Sequence, residues 1–201
     1  MKERGILIVI DGPSAVGKST IVRGLLAQTA VPLALAKRVT TREKRAAEDD
    51  EDIYDFVSHE KFRAMVESGG FVEHKCYKFG MCYGLPKAHV IDRLARGEHL
   101  LAMINLGNIR MVKEVVPDTF GVFLSASLAT VRERLLRRGT HTPEQIEERL
   151  GNAADSLRFA PYYDLVTDSE HTPVAGVIAE ILRCFGTFRH SDRFTEKTDP
   201  N

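Results

Sequence analysis

The sequence predicts an α/β fold built on a doubly wound parallel sheet. Apolar runs of strand length alternate along the 201 residues with amphipathic segments of helical period, an order that favours parallel strands joined by helices. A glycine-rich turn follows the first apolar run directly, and in such sheets the ligand binds outside the carboxyl ends of the strands. A chain of this length can bury a core as one domain without disulfides or metals.

The first strand and helix are predicted from the N-terminal pattern. Residues 5–11 are apolar and β-branched and end at Gly12, which predicts a buried strand, and residues 18–28 carry apolar side chains at helical spacing. A second short strand is predicted at 31–35. Segment 37–55 is charged and has no apolar period, so we expect an exposed, mobile insertion there.

Three helices and a further strand of the sheet are predicted in the middle of the chain. Ser58 is a candidate N-cap for a short helix over 58–68, and a longer helix is expected over 85–96. The apolar run at 99–105 predicts another buried strand, and a helix is expected at 109–115.

The last third of the chain repeats this alternation. Residues 119–124 and 165–167 are apolar and predict strands. Amphipathic helices are predicted over 128–138, 142–154 and 173–182. Segment 186–201 has no apolar period, so we expect a loose C-terminal tail.

Charge and cysteine content exclude several classes of function. Lys plus Arg total 28 and Asp plus Glu total 28, so no net charge directs the chain to nucleic acid or an anionic membrane. Cys76, Cys82 and Cys184 form neither an even set nor a zinc-type spacing, which predicts free thiols in a reducing cytoplasm. We therefore expect a cytoplasmic protein that binds neither nucleic acid nor membrane, and the oligomeric state stays open.

A phosphate-binding loop is the strongest motif. Residues 12–19 match G-x-x-x-x-G-K-[ST], in which backbone N–H groups and the following helix N-terminus face phosphate oxygens. Lys18, expected on an exposed loop, would contact the β- and γ-phosphates of ATP, and Ser19 would offer its hydroxyl to Mg²⁺. Asp11 either holds a Mg²⁺-bound water or caps the loop backbone. The predicted ATP-binding residues are Gly12, Pro13, Ser14, Ala15, Val16, Gly17, Lys18, Ser19 and Thr20.

Several motifs, in the same order, resemble the guanylate kinase family. They are LIVIDGPSAVGKST, TTR at 40–42, IYDFVS at 53–58, FVE at 71–73, YG at 83–84 and RRGT at 137–140. The resemblance implies a P-loop kinase that transfers phosphate from ATP, with Mg²⁺, to a small phosphate ester. It also implies a single domain over 1–185, comprising a core at 1–36 and 87–185, an acceptor-binding insert at 37–86 and a mobile lid at about 137–150.

The resemblance assigns acceptor-binding roles to residues of the insert. The acceptor phosphate would be bound by Arg42, Arg45, Tyr54 and Tyr83, because arginines and tyrosines supply rigid cations and hydroxyl donors to a phosphate monoester. Glu73 would accept hydrogen bonds from guanine.

The lid would supply the catalytic charge. In the transition state charge spreads over the γ-phosphoryl oxygens, so guanidinium groups brought in by lid closure would stabilise it and exclude water. Arg132 and Arg137 are expected on the solvated face instead. The predicted catalytic residues are Lys18, Arg134, Arg138 and Arg149.

Two positions depart from the family pattern and leave the acceptor open. Arg38 stands where guanylate kinases usually have a small hydroxyl residue, and Asn105 where they usually have a second carboxylate for guanine. Both side chains are expected to bind the acceptor. Both positions are similar to the ribose 1,5-bisphosphate phosphokinases, whereas Arg45, Tyr54 and Glu73 follow the guanylate kinase pattern. GMP, converted to GDP, is therefore the expected acceptor, and ribose 1,5-bisphosphate is the alternative.

Two further questions concern the donor and catalysis itself. The family's adenine-contacting asparagine is missing from VTDSE at 166–170, so ATP is inferred as donor only from the family. A non-catalytic guanylate-kinase-like binding module is a second alternative. Such modules generally lose the working loop, and the intact Gly12, Gly17, Lys18 and Ser19 argue against it.

Overall fold

Two sheets organise the residues that the computed structural model describes, which are 4–28, 31–44, 53–78, 80–104 and 109–190. The strands are β1 (Leu7–Asp11), β2 (Leu33–Leu35), β3 (Arg38–Thr40), β4 (Tyr54–Phe56), β5 (Phe71–Cys76), β6 (Cys82–Pro86), β7 (His99–Met103), β8 (Thr119–Ser125) and β9 (Leu165–Asp168). The α-helices are α1 (Lys18–Gln28), α2 (His59–Glu67), α3 (Ile91–Ala95), α4 (Ile109–Val115), α5 (Leu128–Arg138), α6 (Pro143–Ser156) and α7 (Val174–Arg189).

The core sheet is five-stranded and parallel, in the order β2-β7-β1-β8-β9. Side chains of β1 alternate between its two faces, and all five residues of the strand are buried. Ile8 and Ile10 pack with α1 and α7 on one face, and Leu7 and Val9 pack with α3 and α4 on the other. The predicted doubly wound α/β fold is confirmed.

A second sheet, in the order β4-β3-β6-β5, lies within the segment predicted as the insert, 37–86. The prediction of an exposed insertion over 37–55 is wrong for its described part, because Arg38, Thr40 and Arg42 are buried. The predicted helix at 85–96 is wrong at its start as well. Leu85 is a fully buried strand residue that pairs with Glu73, and the α-helix begins only at Ile91.

The predicted lid at about 137–150 lies within two helices, α5 and α6, that pack on each other, and the two are called the lid helices below. Ser127 caps the N-terminus of α5, whose C-terminus ends at Gly139 in the left-handed conformation, φ 63°. Thr142 and Gln145 form a capping box at the start of α6. Leu135 of α5 packs with side chains of α6 in one small apolar cluster, and this cluster holds the two helices together.

The last helix is longer than predicted. It was expected to end at residue 182, with a loose tail from 186, but α7 continues to Arg189. Phe185 is buried, and the rings of Phe185 and Phe188 contact Phe120 with centroids 5.9 and 5.1 Å apart. This packing stabilises the C-terminal end of α7, which the pattern of the local sequence does not predict to be helical. None of the helices in the described residues is long and apolar enough to span a membrane.

Two of the three cysteines are joined, which contradicts the prediction of free thiols. Cys76 and Cys82 are directly paired at the ends of β5 and β6 and form a disulfide, with Cα atoms 4.0 Å apart. Only Cys184 among the cysteines is free. An odd cysteine count could not reveal the pair, because the β5–β6 hairpin that brings the two residues together was not predicted.

Candidate active site

The phosphate-binding loop joins the carboxyl end of β1 to the N-terminus of α1. Gly12 has φ 142° and Gly17 has φ 108°, values that side-chain-bearing residues rarely adopt. A Cβ atom on Gly12 would lie 2.4 Å from the Leu124 carbonyl oxygen, so the loop passes too close to β8 for any other residue. The strand, turn and helix predicted from the motif are therefore present.

Lys18 is buried rather than exposed, contrary to the prediction. Its ammonium group donates to the carbonyl oxygens of Gly12 and Pro13 at 2.6 and 2.7 Å. Burial lowers the pKa of Lys18 to about 8, with smaller contributions from nearby arginines, and the charge of Asp11 opposes this shift. Lys18 therefore lies at the loop and begins to lose its proton just above neutral pH.

Asp11 stabilises the loop from beneath. Its Oδ1 accepts the Gly12 backbone N–H at 2.6 Å, and its Oδ2 accepts a hydrogen bond from the Tyr163 hydroxyl. Burial and the neighbouring Asp11 charge raise the pKa of Tyr163, so the phenol stays a donor. Of the two predicted roles of Asp11, these contacts agree with capping of the loop backbone rather than with holding a Mg²⁺-bound water. They involve both carboxylate oxygens.

Two lid arginines contact the phosphate-binding loop directly. Arg149 donates through Nη1 to the Ser14 hydroxyl at 2.6 Å. Arg134 donates to the Val16 carbonyl oxygen at 3.3 Å and to the Ser169 carbonyl oxygen at 3.2 Å. The two helices of the lid therefore each bring a guanidinium group to the same loop.

A cavity of about 410 Å³ opens between the loop and the lid. Arg138, which is predicted to be catalytic, lines it, and so does Arg137, which was expected on the solvated face. Arg132 follows its prediction and forms an exposed ion pair with Glu147 at 2.6 Å. The loop residues that line the cavity are Ala15, Val16, Gly17 and Thr20.

The insert contains a buried ion pair. Arg38 and Glu73 are 1% and 0% exposed, and Nη2 of the arginine lies 2.6 Å from Oε1 of the carboxylate. Burial alone would lower the pKa of Arg38, but the Glu73 charge, its hydrogen bond and the neighbouring tyrosines together raise that pKa above its ordinary value. The arginine that departs from the expected pattern is thus bonded directly to the carboxylate predicted to recognise guanine.

Aromatic rings surround the arginines of the insert. The Tyr83 ring centroid lies 5.6 Å from the Arg38 guanidinium carbon, and the Tyr54 ring centroid lies 5.7 Å from that of Arg42. Tyr54 and Tyr83 contact each other edge to face, with centroids 5.9 Å apart. Four of the predicted acceptor-binding side chains are therefore adjacent to one another.

Tyr77 belongs to this aromatic cluster and was missed from the sequence. Its ring contacts Tyr83 at 5.9 Å, and burial raises the pKa of its hydroxyl. The available signal was alternation, because Tyr77 follows Glu73 by four residues at the end of a strand and so continues the same face. Tyr163 was also missed, since it lies outside any regular element and carries no periodic signal.

The metal-binding capacity of the site is small. The Ser19 hydroxyl lies at the start of α1 with Met103 Sδ 3.9 Å away, and Asp11 is engaged as described. In the described ranges, no group of three or more His, Cys, Asp or Glu side chains could hold a metal ion. A Mg²⁺ ion that arrives with nucleotide phosphates would fit this donor set, because such ions keep phosphate and water ligands and need few from protein.

Comparisons with known proteins decide the family. A family model described as guanylate kinase matches residues 4–175. Guanylate kinase from Symbiobacterium thermophilum is 37% identical over 181 residues, which are 90% of this chain and 84% of that protein. The chain belongs to the guanylate kinase family. Guanylate kinase from Trichodesmium erythraeum is 38% identical over 170 residues, 83% of this chain and 90% of that protein.

Two solved structures have folds similar to that of this chain. The crystal structure of guanylate kinase from Anaplasma phagocytophilum matches with a TM-score of 0.73 at 24% identity, covering 96% of this chain and 91% of that one. A gluconokinase from Sinorhizobium meliloti matches with a TM-score of 0.54 at 18% identity, covering 98% and 99%. At these identities the two likenesses concern the fold alone, which is that of a P-loop kinase.

The structure brings together most residues to which the guanylate kinase resemblance gave roles. Lys18, Arg134 and Arg149 meet at the phosphate-binding loop. Arg38, Arg42, Tyr54, Glu73 and Tyr83 lie together in the insert. Arg45 and Asn105 lie outside the described residues, so their predicted roles stay predictions.

Proposed function

We propose that this chain transfers the γ-phosphoryl group of ATP to GMP and so forms ADP and GDP. One observation carries the proposal: in a chain of the guanylate kinase family, the lid arginines Arg134 and Arg149 already contact the loop that holds Lys18. Phosphoryl transfer depends chiefly on positioned positive charge, and Arg134, Arg149 and Lys18 would supply that charge. The division into core, insert at 37–86 and lid at about 137–150 is part of the same proposal.

The donor would bind along the phosphate-binding loop and the adjacent cavity. Backbone N–H groups of 12–19 and the N-terminus of α1 would bind its phosphates, and Lys18 would turn from the Gly12 and Pro13 carbonyl oxygens to the β- and γ-phosphates. The cavity of about 410 Å³ would take the adenosine half. When bound, Mg²⁺ would neutralise charge on the phosphates, with the Ser19 hydroxyl as its protein ligand.

The lid would act on the transferring group. Arg149, held by the Ser14 hydroxyl, and Arg134 would donate hydrogen bonds to γ-phosphoryl oxygens, and Arg138 would approach from the cavity wall. Guanidinium groups in a site shielded from water stabilise the spread negative charge of the transition state. Exclusion of water would also prevent simple hydrolysis of ATP.

The acceptor would bind in the insert. Arg42, with its guanidinium carbon 5.7 Å from the Tyr54 ring centroid, and the hydroxyls of Tyr54 and Tyr83 would hold its phosphate. Arg45 would add a further cation. Glu73 and Asn105 would face the base. The base would then lie toward the Arg38–Glu73 pair.

A coupled assay of ADP release tests the proposal. The enzyme is supplied with ATP, Mg²⁺ and in turn GMP, dGMP, AMP, UMP, CMP or ribose 1,5-bisphosphate. We expect GMP to give the highest kcat/KM, and we expect release without acceptor to be slow. Lys18→Met is the matched control and should be inactive with every acceptor. Equal ADP release with and without GMP would overturn the proposal.

Ribose 1,5-bisphosphate is a second candidate acceptor because of one observation. Arg38 is an additional buried cation bonded to the carboxylate assigned to guanine, and an extra arginine suits a ligand with two phosphates. If this compound is the acceptor, the same assay gives it a higher kcat/KM than GMP. In that case Glu73→Gln should not lower its kcat/KM, because the carboxylate would only repel a phosphate bound to Arg38.

A further inference from the structure

Two donor groups of Arg38 are buried and have no hydrogen-bond partner in the described part of the chain. They are Nε and Nη1, whereas Nη2 is bonded to Glu73 Oε1 at 2.6 Å. Buried polar groups without partners are rare in native proteins, and each one calls for an explanation such as a water or a ligand. The guanidinium therefore has hydrogen-bonding capacity that the fold itself does not use.

The position of these donors is inside the acceptor-binding insert. The guanidinium carbon lies 5.6 Å from the Tyr83 ring centroid, and the rings of Tyr54 and Tyr77 each lie with their centroids 5.9 Å from that of Tyr83. A ligand whose phosphate is held by the tyrosine hydroxyls would thus lie next to the ion pair.

We propose that Arg38 and Glu73 recognise the guanine base as one unit, with Arg38 donating to O6 and N7 and Glu73 accepting from N1–H and the 2-amino group. This inference rests on the proposed function. Arginine bonded to O6 and N7 is the commonest specific contact to guanine, because both atoms are acceptors on one edge. The adjacent N1–H is a donor, and a carboxylate beside the arginine matches it.

The order of donor and acceptor in the pair excludes adenine. Along the guanine edge the O6 acceptor is followed by the N1–H donor, which complements a guanidinium followed by a carboxylate. Adenine reverses this order, so its amino group would face the Arg38 donors and its N1 acceptor would face Glu73. Unpaired donors and acceptors in a buried site cost binding free energy, and the pair would therefore reject AMP.

The same pair disfavours a second phosphate at this end. Glu73 is fully buried and lies in direct contact with Arg38, so the two charges balance each other. A phosphate dianion placed against Arg38 would meet the Glu73 carboxylate at close range, and like charges in a buried site repel strongly. A neutral base with alternating acceptors and donors fits this environment better.

Base analogues test the inference with the wild-type enzyme. 7-Deaza-GMP lacks the N7 acceptor, 6-thio-GMP replaces O6 with a weak acceptor, and IMP lacks only the 2-amino group. We expect kcat/KM for the first two to fall about tenfold below that for GMP. GMP turnover with equal kcat/KM for all of these analogues would overturn the inference and leave the proposed function intact. An absence of GMP turnover would overturn both.

The variant Arg38→Lys separates recognition from structural support. It keeps the charge beside Glu73 but loses the planar donors, so the preference for GMP over 7-deaza-GMP and 6-thio-GMP should shrink toward one. The preference for GMP over IMP, which Glu73 reads, should stay unchanged. Arg63→Lys is the matched control, since Arg63 is exposed on α2 and forms an ion pair with Glu67 on the same helix. A uniform loss of kcat/KM with every ratio preserved would reduce Arg38 to a structural role.

Discussion

Arg149 of the lid donates a hydrogen bond through Nη1 to the Ser14 hydroxyl of the phosphate-binding loop, at 2.6 Å. The two residues are 135 positions apart in sequence, and the contact joins α6 to the turn between β1 and α1. Ser14 therefore holds a lid guanidinium beside the place where the γ-phosphate would lie. Preorganised charge of this kind lowers the cost of reaching the transition state.

We predict that Arg149→Ala lowers kcat by about a hundredfold with a smaller change in the KM for GMP, because its charge is needed mainly in the transition state. Ser14→Ala should lower kcat only about threefold, since it removes the positioning bond and keeps the charge. Steady-state kinetics of both variants and of the double variant measure the coupling. If the effects of the two substitutions on kcat simply multiply, Ser14 does not position Arg149.

Lys18 should take up a proton when nucleotide binds. Its pKa is lowered to about 8 by burial, so at pH 8 roughly half of the free protein carries a neutral lysine. Phosphates favour the charged form, and binding of ATP with Mg²⁺ at pH 8 should therefore take up about half a proton, falling toward zero below pH 7. Calorimetry in buffers of different ionisation enthalpy measures this uptake. Lys18→Arg is the control, and equal uptake in that variant would assign the proton to another group.

The same lysine should make stability depend on alkaline pH. Its folded-state pKa of about 8 lies below its ordinary value of 10.5, so between these values the unfolded chain binds more protons than the folded one. The Lys18 contribution to the free energy of unfolding therefore rises with pH through this window. Comparison of urea unfolding of the wild type and Lys18→Met at pH 7 and pH 10 isolates the contribution. A wild-type advantage that does not increase toward pH 10 would contradict the assignment.

The disulfide predicts a specific pattern of thiol labelling. Cys76 and Cys82 are bonded and Cys184 is free, so the denatured protein should take up one iodoacetamide before reduction and three after it. Intact mass spectrometry counts the adducts, and peptide mapping locates them. Three adducts without reductant would show that the hairpin holds two thiols, as the cysteine count alone had indicated.

Tyr163→Phe should destabilise the fold without touching a predicted ATP contact. The substitution removes one buried hydroxyl that donates to Asp11, and hydrogen bonds to charged groups contribute about 1.5–3 kcal/mol. Urea denaturation measures the free energy of unfolding. Tyr162→Phe is the matched control, because Tyr162 is 47% exposed. Equal stability of the two variants would mean that Asp11 is held by other groups.

Most of the core could be predicted because its signals are local. The bounds of α1 and α5 agree with the predicted 18–28 and 128–138, since amphipathic spacing is a property of residues that are close in sequence. The loop geometry at Gly12 and Gly17 likewise follows from a motif that requires it. These elements need no distant partner to be recognised.

The insert could not be predicted because its elements are short and its order depends on long-range pairing. β3 and β4 have three residues each, and β3 begins with a buried arginine whose carboxylate partner is 35 positions away. A charged residue in an aperiodic segment indicates solvent exposure, and only the Glu73 contact reverses that expectation. The disulfide and the position of Tyr77 were also missed, because both depend on the pairing of β5 with β6, which was not predicted.

The most direct test of the account is ³¹P NMR of the reaction of ATP, Mg²⁺ and GMP with the wild type and Lys18→Met. Lys18→Met removes the buried ammonium group at the phosphate-binding loop and keeps an apolar side chain of similar length, so the fold should persist by circular dichroism. The account predicts that GDP and ADP appear in equal amounts with the wild type, that little inorganic phosphate forms, and that Lys18→Met is at least about a hundredfold slower. ADP accompanied by inorganic phosphate without GDP, or equal rates for the two proteins, would contradict it.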